Sequence, residues 1–237
     1  MRELSSFVIG NNINRKKNII VIAMIVLLSC LCIYGVRLCG GSINEMDYFF
    51  VTWFMINIYY IYLIADIASF DFEEKIINFS YSAGLPRNKY LLNKIMLLAS
   101  VGLIHGIIIF VGYKGIFSNF IVKSNYINGS EAIIIYLLVF LFIGSIDMIL
   151  ALLSWKKSQI IMSNIFIIII LPTVIQTVVS AINNSFLLKA FKVSPFSLIS
   201  SVPMDLSINF TITIVAVLSI IVANIVNFNI NNSKDFL

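Results

Sequence analysis

Four polar side chains lie inside long apolar stretches of this sequence, where they could transfer protons or gate a path. Asp66 and Asp147 lie toward one end of their stretches, His105 lies near the middle of a third, and Gln176 lies in a fourth. Ionisable groups are costly in a bilayer and usually face a protein interior. Two simpler alternatives stay open: the carboxylates could reach a membrane interface, and His105 could be a neutral packing residue.

Enzymatic chemistry has few other candidates. The adjacent Glu73 and Glu74 invite comparison with intramembrane proteases of the prenyl-protein type, which combine paired glutamates with more than one histidine, whereas this chain has one. Its three cysteines and that histidine do not make a metal-ligand set. We therefore predict no catalytic residue, no metal site and no cofactor in this chain.

The composition is that of a membrane protein. Hydrophobic residues make up 60% and charged residues 11% of the 237 residues, against roughly 45–50% and about 25% in soluble domains. A soluble core of this size could not enclose so much apolar surface, because small domains leave a large share of their surface outside. The sequence therefore predicts a polytopic membrane protein.

Six stretches are long enough to cross a bilayer, which takes about 20 apolar residues in a helix. They cover 18–36, 48–69, 95–112, 132–154, 159–182 and 208–226. Because they are apolar on all faces, they do not fit the alternating strands of a barrel. We predict an all-α fold in which residues 18–237 form a single six-helix transmembrane domain with both termini on one side. Residues 1–17 are predicted to be an N-terminal interfacial segment, either a short helix on the inner leaflet or a disordered tail.

The basic residues orient this domain. With cytoplasmic termini, eleven of the sixteen Lys and Arg residues lie on cytoplasmic segments and the other five on outer segments, as the positive-inside rule requires. The richness in Ile, Asn and Lys is typical of AT-rich bacterial genomes, so we expect a bacterial plasma membrane. The basic residues are scattered over several loops, and we therefore expect no nucleic-acid partner.

One charged, amphipathic stretch, residues 70–94, stands between the second and third apolar stretches and is called the elbow. Phe72, Ile76, Phe79 and Ala83 recur at helical spacing and indicate a short helix with one apolar face. Gly84 suits the end of that helix and Pro86 the start of the next. Arg87, Lys89 and Lys94 are then expected to carry the chain back to the bilayer surface. An ordinary charged inner loop is the alternative.

These residues resemble a known family. An acidic pair, an amphipathic helix, the run Gly84-Leu85-Pro86-Arg87, then Tyr90 and Lys94 before a third span are similar to the coupling region of type-2 ABC exporter permeases. The resemblance extends to the N-terminal segment, the six spans and the semi-apolar stretch 183–207 before the last span, broken by Pro195 and Pro203. Small size makes the chain most similar to lantibiotic-immunity permeases.

The resemblance implies the parts of a transporter. It implies a cytoplasmic coupling helix between helices 2 and 3 that docks on a separate ATPase, with Glu73, Glu74, Gly84, Pro86, Arg87 and Lys94 as the coupling residues. It also implies a re-entrant outer segment before helix 6. The printed sequence has no G-x-x-x-x-G-K-[ST] phosphate loop, so ATP and Mg would be bound by the partner.

The same resemblance implies the assembly and the cargo. We expect two ATPase copies, a second permease that is identical or related, membrane lipids around them, and an amphipathic antimicrobial peptide as substrate. Another amphipathic or lipid-like substrate and an ATP-independent channel or transporter are the alternatives.

Two backbone signals lie within the spans. Gly102 and Gly106 form a Gly-x-x-x-Gly pair in the third, which lets two helices approach closely within the subunit or across a dimer. Pro172 in the fifth removes one backbone hydrogen bond and predicts a kink, either a static one or part of a gate.

Overall fold

The described part of the chain is helical throughout. A computed structural model describes residues 15–41, 45–73, 86–117, 130–182, 185–200 and 210–233, and every regular element in these ranges is a helix. Among these residues six helices are long and apolar enough to cross a membrane. The prediction of an all-α chain with six candidate membrane spans is confirmed. Of the predicted interfacial segment, residues 1–17, residues 1–14 lie outside the described residues and residues 15–17 begin the first described helix.

Eight helices are labelled in chain order. They are α1 (Arg15–Leu38), α2 (Glu45–Glu73), α3 (Arg87–Gly112), α4 (Ser130–Leu152), α5 (Lys157–Ile165, continued by a π-helical turn Phe166–Ile170 and by Leu171–Ile182), α6 (Ser185–Val193), α7 (Pro195–Ser200) and α8 (Phe210–Ser233). A π-helical turn, Tyr113–Phe117, extends α3.

The helices flanking the elbow are longer than the sequence predicts. The second predicted span, 48–69, lies within α2, and the third, 95–112, begins eight residues after the start of α3. Residues 70–73 and 87–94, assigned to the elbow from the sequence, therefore continue α2 and α3. The physical reason is that Asp71 and Lys94 are paired inside the bundle, so their charges do not force the helices to end. The part of the elbow between them, 74–85, lies outside the described residues.

Glycines set the closest helix pair, α3 on α4. A Cβ added to Gly102 would lie 2.8 Å from the Phe140 Cβ, and one added to Gly106 would lie 2.8 Å from the Ile133 Cα. One turn closer to the elbow the glycine is on α4 and the larger side chain is on α3: a Cβ added to Gly144 would lie 2.7 Å from a methyl group of Leu98. The Gly-x-x-x-Gly pair thus packs within the subunit, which answers the question that the sequence leaves open.

Aromatic side chains fill the middle of the bundle. Trp53 of α2 packs edge-on against Tyr136 of α4 at a centroid distance of 5.5 Å. Tyr60 stacks on His105 of α3 at 5.6 Å and meets Phe140 of α4 edge-on at 5.1 Å. All five side chains are buried, so α2, α3 and α4 share one aromatic core. Such pairs are stabilised beyond the burial of their area.

The outer helices cover this core with one face each. In α1 the buried positions Ile22, Val26, Cys30 and Ile33 recur at helical spacing and pack on α2 and α3. The other faces of α1, α5 and α8 expose large apolar side chains such as Met24, Met162 and Val222. Exposed apolar surface of this extent is costly in water and suits lipid.

The fifth helix changes its winding immediately before Pro172. The Leu171 N–H donates to the Phe166 carbonyl, five residues back, within a π-helical turn. A proline has no N–H and its ring collides with the carbonyl four residues back, so the wider turn makes room for the ring. Beyond it the Thr173 hydroxyl donates to the Ile169 carbonyl at 2.7 Å. The structure thus shows a widened turn next to Pro172, and the kink predicted from the sequence stays a prediction.

Two short helices precede α8. Within 183–207, the stretch predicted to re-enter the membrane, the structure describes α6 and α7, with a bend at Ser194 between them. In α7, Ser197, Leu198 and Ile199 are buried. Phe196 packs edge-on against Phe142, near the midpoint of α4, at a centroid distance of 6.5 Å. The start of α7 therefore lies at about half the depth of α4.

Candidate functional site

Buried and half-buried polar side chains gather at one end of the bundle, which we call the elbow end. Here α2 ends and α3 begins on the two sides of residues 74–85, α4 and α8 end, and α5 begins. Polar contacts between these ends join all five helices. Because polar groups are costly to bury, their concentration at one end of an otherwise apolar bundle makes the elbow end the candidate functional site.

A buried carboxylate ties α2 to α3. Asp71 Oδ2 accepts hydrogen bonds from the Tyr90 hydroxyl at 2.7 Å and from Lys94 Nζ at 2.7 Å. Lys94 Nζ also donates to the Ile67 carbonyl at 2.7 Å. The side chain of Asp71 is fully buried and that of Lys94 is 6% exposed. We call Asp71, Tyr90 and Lys94 the root cluster, because their contacts join the end of α2 to the start of α3.

The root cluster fixes the separation of the two helices at the elbow. Phe72 and Tyr90 add an edge-on ring contact at 6.4 Å. Burying an ion pair costs desolvation, and removing one member strands the other charge, which is strongly destabilising. A movement imposed on the elbow would therefore carry the ends of α2 and α3 together.

Arg87 ties the start of α3 to the end of α8. Its Nη1 donates to the carbonyls of Asn231 and Asn232, each at 3.2 Å. Carbonyls in the last turn of a helix have no partner within the helix, and a cation there also opposes the helix dipole. Arg87 thus closes the C-terminal end of α8 and links that helix to the elbow.

Asp66 ties α2 to the start of α5. It forms an ion pair with Lys157, and both side chains are about one quarter exposed, at 26% and 22%. Lys157 Nζ also donates to the Tyr62 hydroxyl at 3.0 Å and lies 4.3 Å from the centroid of that ring. Of the two sequence interpretations of Asp66, the geometry favours a residue at the rim of the bundle.

Asp147 lies deeper, between α4 and α5. Asn164 Nδ2 donates to Asp147 Oδ2 at 2.8 Å and to the Ile61 carbonyl of α2 at 3.2 Å. Both side chains are fully buried. Asp147 Oδ1 and Asn164 Oδ1 have no hydrogen-bond partner. Asp147 is therefore enclosed by α2, α4 and α5, and the structure brings it to Asn164.

Amides connect α8 to α4 at the same end. Asn224 Nδ2 donates to the Ser145 hydroxyl at 3.0 Å, and Asn227 Nδ2 donates to the Ser145 carbonyl at 3.0 Å. Side-chain hydrogen bonds of this kind hold helices together where the surroundings are as apolar as the helices themselves. With Arg87, they bind the last helix to both α3 and α4.

His105 is part of the aromatic core rather than the elbow end. Its Nδ1 lies 3.2 Å from the Tyr60 hydroxyl, and the ring is buried between Tyr60 and Phe140. This placement suits a packing residue that shares one hydrogen bond. It brings His105 to none of the carboxylates named above.

The remaining predicted residues are placed in part. Pro86 directly precedes the first residue of α3, as a helix-opening proline should. Glu73 is the last residue of α2, but its side chain lies outside the description, as do Glu74, Gly84 and the side chain of Gln176. Among the described residues, no group of three His, Cys, Asp or Glu side chains could hold a metal ion.

Residue spacing in the sequence carries a signal for the root cluster. Tyr90 and Lys94 are four residues apart and so share one face of α3, while Ile67 and Asp71 share one face of α2 by the same spacing. From its charge, Lys94 is predicted to help carry the chain back to the bilayer surface. In the structure its side chain is a buried partner of Asp71.

No protein-family model matches this chain, and no curated protein matches it either. The residues, their geometry and the resemblance of the elbow to an exporter coupling region are the support for a function.

Proposed function

We propose that this protein is the membrane subunit of an ABC exporter in a bacterial plasma membrane, with both termini in the cytoplasm. A separate ATPase, two copies of it, binds the elbow, and a second permease, identical or related, completes the transport path. The observation that carries the proposal is the root cluster. It joins the helices on both sides of the elbow, so a force on the elbow acts on the bundle and not on a loose loop.

The links at the elbow end define how movement would spread. The root cluster carries it to α2 and α3, Arg87 carries it to α8, and Lys157 carries it to α5. A transporter needs two discrete arrangements that the ATP state favours differently. In this proposal the ATPase pair moves the elbow, and the linked helices tilt and open or close a lateral cavity between the two permeases.

The proposed cargo is an amphipathic antimicrobial peptide such as a lantibiotic, expelled from the membrane for self-protection or resistance. The resemblance to immunity permeases is what supports it. The short helices α6 and α7 fit the proposal, because the Phe196 to Phe142 contact at half the depth of α4 suits a segment that re-enters the bilayer from the outer side.

Coupling is tested by copurification. The chain is expressed with the proposed ATPase subunit, and Glu73→Gln/Glu74→Gln is compared with Lys156→Gln, which changes an exposed charge in the α4–α5 connection. We expect the glutamate variant to lose ATPase binding and the control to retain it. Unchanged binding and unchanged transport in the glutamate variant would refute the elbow as the docking site. Transport by the chain without any ATPase would instead indicate a channel or an ATP-independent transporter.

The cargo is tested in a sensitive bacterium. Cells that express the complete system are exposed to nisin-like peptides, to unrelated drugs and to detergents. Protection confined to the peptides is the expected result. Equal protection against all three would leave an exporter of amphipathic or lipid-like compounds and would remove the immunity function.

A further inference from the structure

Two buried oxygen atoms at the α4–α5 contact lack a hydrogen-bond donor. Asp147 and Asn164 already share one hydrogen bond, from Asn164 Nδ2 to Asp147 Oδ2 at 2.8 Å. The second oxygen of each side chain, Oδ1 in both, is buried and has no partner. Each is an acceptor when Asp147 is ionised, so neither can satisfy the other. Buried acceptors without a donor are rare in folded proteins.

A single proton would satisfy both atoms. When protonated, a carboxyl group donates one hydrogen bond and keeps an acceptor oxygen. In a cyclic acid–amide pair, a proton on Asp147 Oδ1 would be donated to Asn164 Oδ1, while Asn164 Nδ2 continues to donate to Asp147 Oδ2. We infer that Asp147 carries a proton in the folded protein and that the Asp147–Asn164 pair is a proton-binding site between α4 and α5.

The three described cations that contact buried or half-buried groups at the elbow end have other carboxylate or carbonyl partners. Lys94 is bound to Asp71, Lys157 to Asp66, and Arg87 to the carbonyls at the end of α8. A carboxyl group that is fully buried without a paired cation takes up a proton, because the charged form is much more costly in an apolar medium. Burial without a paired cation therefore favours the protonated form of Asp147, and Asn164 provides an acceptor for the proton.

The titratable and charged groups on the helices packed around Asp147 are few. At the elbow end of α2, α3 and α5 they are Tyr62, Asp66, Asp71, Glu73, Arg87, Lys89, Tyr90, Lys94 and Lys157. The described parts of α7 and α8 contain none. Asp66 and Asp71 are ion-paired and Glu73 is the last residue of α2, so Asp147 is the carboxyl group at the α4–α5 contact that is expected to change its proton occupancy when α5 moves away from α4. Such a movement would expose Asp147 to water and release its proton.

Infrared spectroscopy of the purified full chain tests the proton directly. At neutral pH we expect a protonated-carboxyl band that shifts in heavy water. It should be absent from Asp147→Asn and present in Asp66→Asn and Asp71→Asn. The exchange variant Asp147→Asn/Asn164→Asp should restore the band, since acid and amide have only traded places. An ionised Asp147 hydrated by a buried water would give no band, and a band that persists in Asp147→Asn belongs to another residue; either result would overturn the inference.

The pH dependence of unfolding provides a second measurement, which does not require the variants to fold well. At every pH at which the folded chain holds one proton more than the unfolded chain, the unfolding equilibrium constant rises about tenfold per pH unit. Unfolding of the native chain in detergent should therefore become easier as the pH rises from about 7 toward about 8, above the range in which a histidine of the unfolded chain loses its proton. A pH-independent unfolding equilibrium would contradict the inference. Neither measurement involves an ATPase, so their outcome is separate from that of the proposed function.

Discussion

Replacing Lys94 by methionine tests the root cluster most sharply. Methionine keeps the length and the apolar stem of lysine but removes the ammonium group. In the native chain this group lies 2.7 Å from Asp71 Oδ2 and 2.7 Å from the Ile67 carbonyl. The variant leaves the Asp71 carboxylate buried without its cation, and we expect the free energy of unfolding to fall.

The size of the effect follows from burial. At 2.7 Å and an effective dielectric constant near 20, the attraction between the two charges is about 6 kcal/mol. Part of it offsets the cost of taking the ammonium out of water. Breaking buried pairs in other proteins by removing one partner costs about 3–5 kcal/mol, and we expect Lys94→Met to fall in that range.

The assay is a titration with sodium dodecyl sulfate of the purified chain in mild detergent, followed by circular dichroism. Lys89→Met is the matched control, because Lys89 is exposed near the start of α3; its effect should stay within about 0.5 kcal/mol. Asp71→Asn/Lys94→Met should recover much of the lost stability, since it removes both charges. A loss below about 1 kcal/mol for Lys94→Met, or a double variant no more stable than the single one, would show that the pair does not hold the two helices together.

Three further substitutions separate the other contacts in the same assay. Gly106→Ala should destabilise the chain by about 1–3 kcal/mol, because the added methyl group meets the α4 backbone. Gly35→Ala is the control and should not destabilise it, because the space around Gly35 is open. Equal effects of the two substitutions would refute close α3–α4 packing. Arg87→Gln should cost about 1.5–3 kcal/mol through its hydrogen bonds to the end of α8, and a neutral result would mean that this link is not formed. Lys157→Met should cost only about 0–1 kcal/mol, since its pair with Asp66 is partly exposed; a loss as large as that of Lys94→Met would contradict this ranking of the two pairs.

The helical fold class and the six candidate membrane spans could be predicted because the bilayer imposes a strong constraint. A span needs about 20 apolar residues and must satisfy its own backbone, so composition and run length suffice. The residues at which the helices begin and end are harder to predict from the sequence. Asp71 and Lys94 were assigned to the elbow because charged residues normally end an apolar stretch, but these two neutralise each other inside the bundle. A contact between two residues on different helices leaves only a weak spacing signal in one sequence.

The candidate site could be predicted only in part for the same reason. Asp66, Asp147 and Arg87 stood out because charge within or beside an apolar stretch is conspicuous. Their partners did not stand out. Asn164 and the carbonyls at the end of α8 are uncharged, and nothing in the local pattern shows which helix faces them. The packing partner of Gly102 and Gly106 was open for this reason too, because a small residue indicates a close neighbour without naming it.

The widened turn before Pro172 divides α5 into two unequal parts. On its elbow side, Lys157 and Asn164 fasten the helix to α2 and α4. On the far side Thr173 and Thr177 direct their hydroxyls back to carbonyls of α5 itself. Because the backbone hydrogen-bond pattern changes at this turn, the two parts of α5 can move by different amounts. The elbow-side part would then follow α2 and α4, while the far part would follow the short helices α6 and α7, which it contacts.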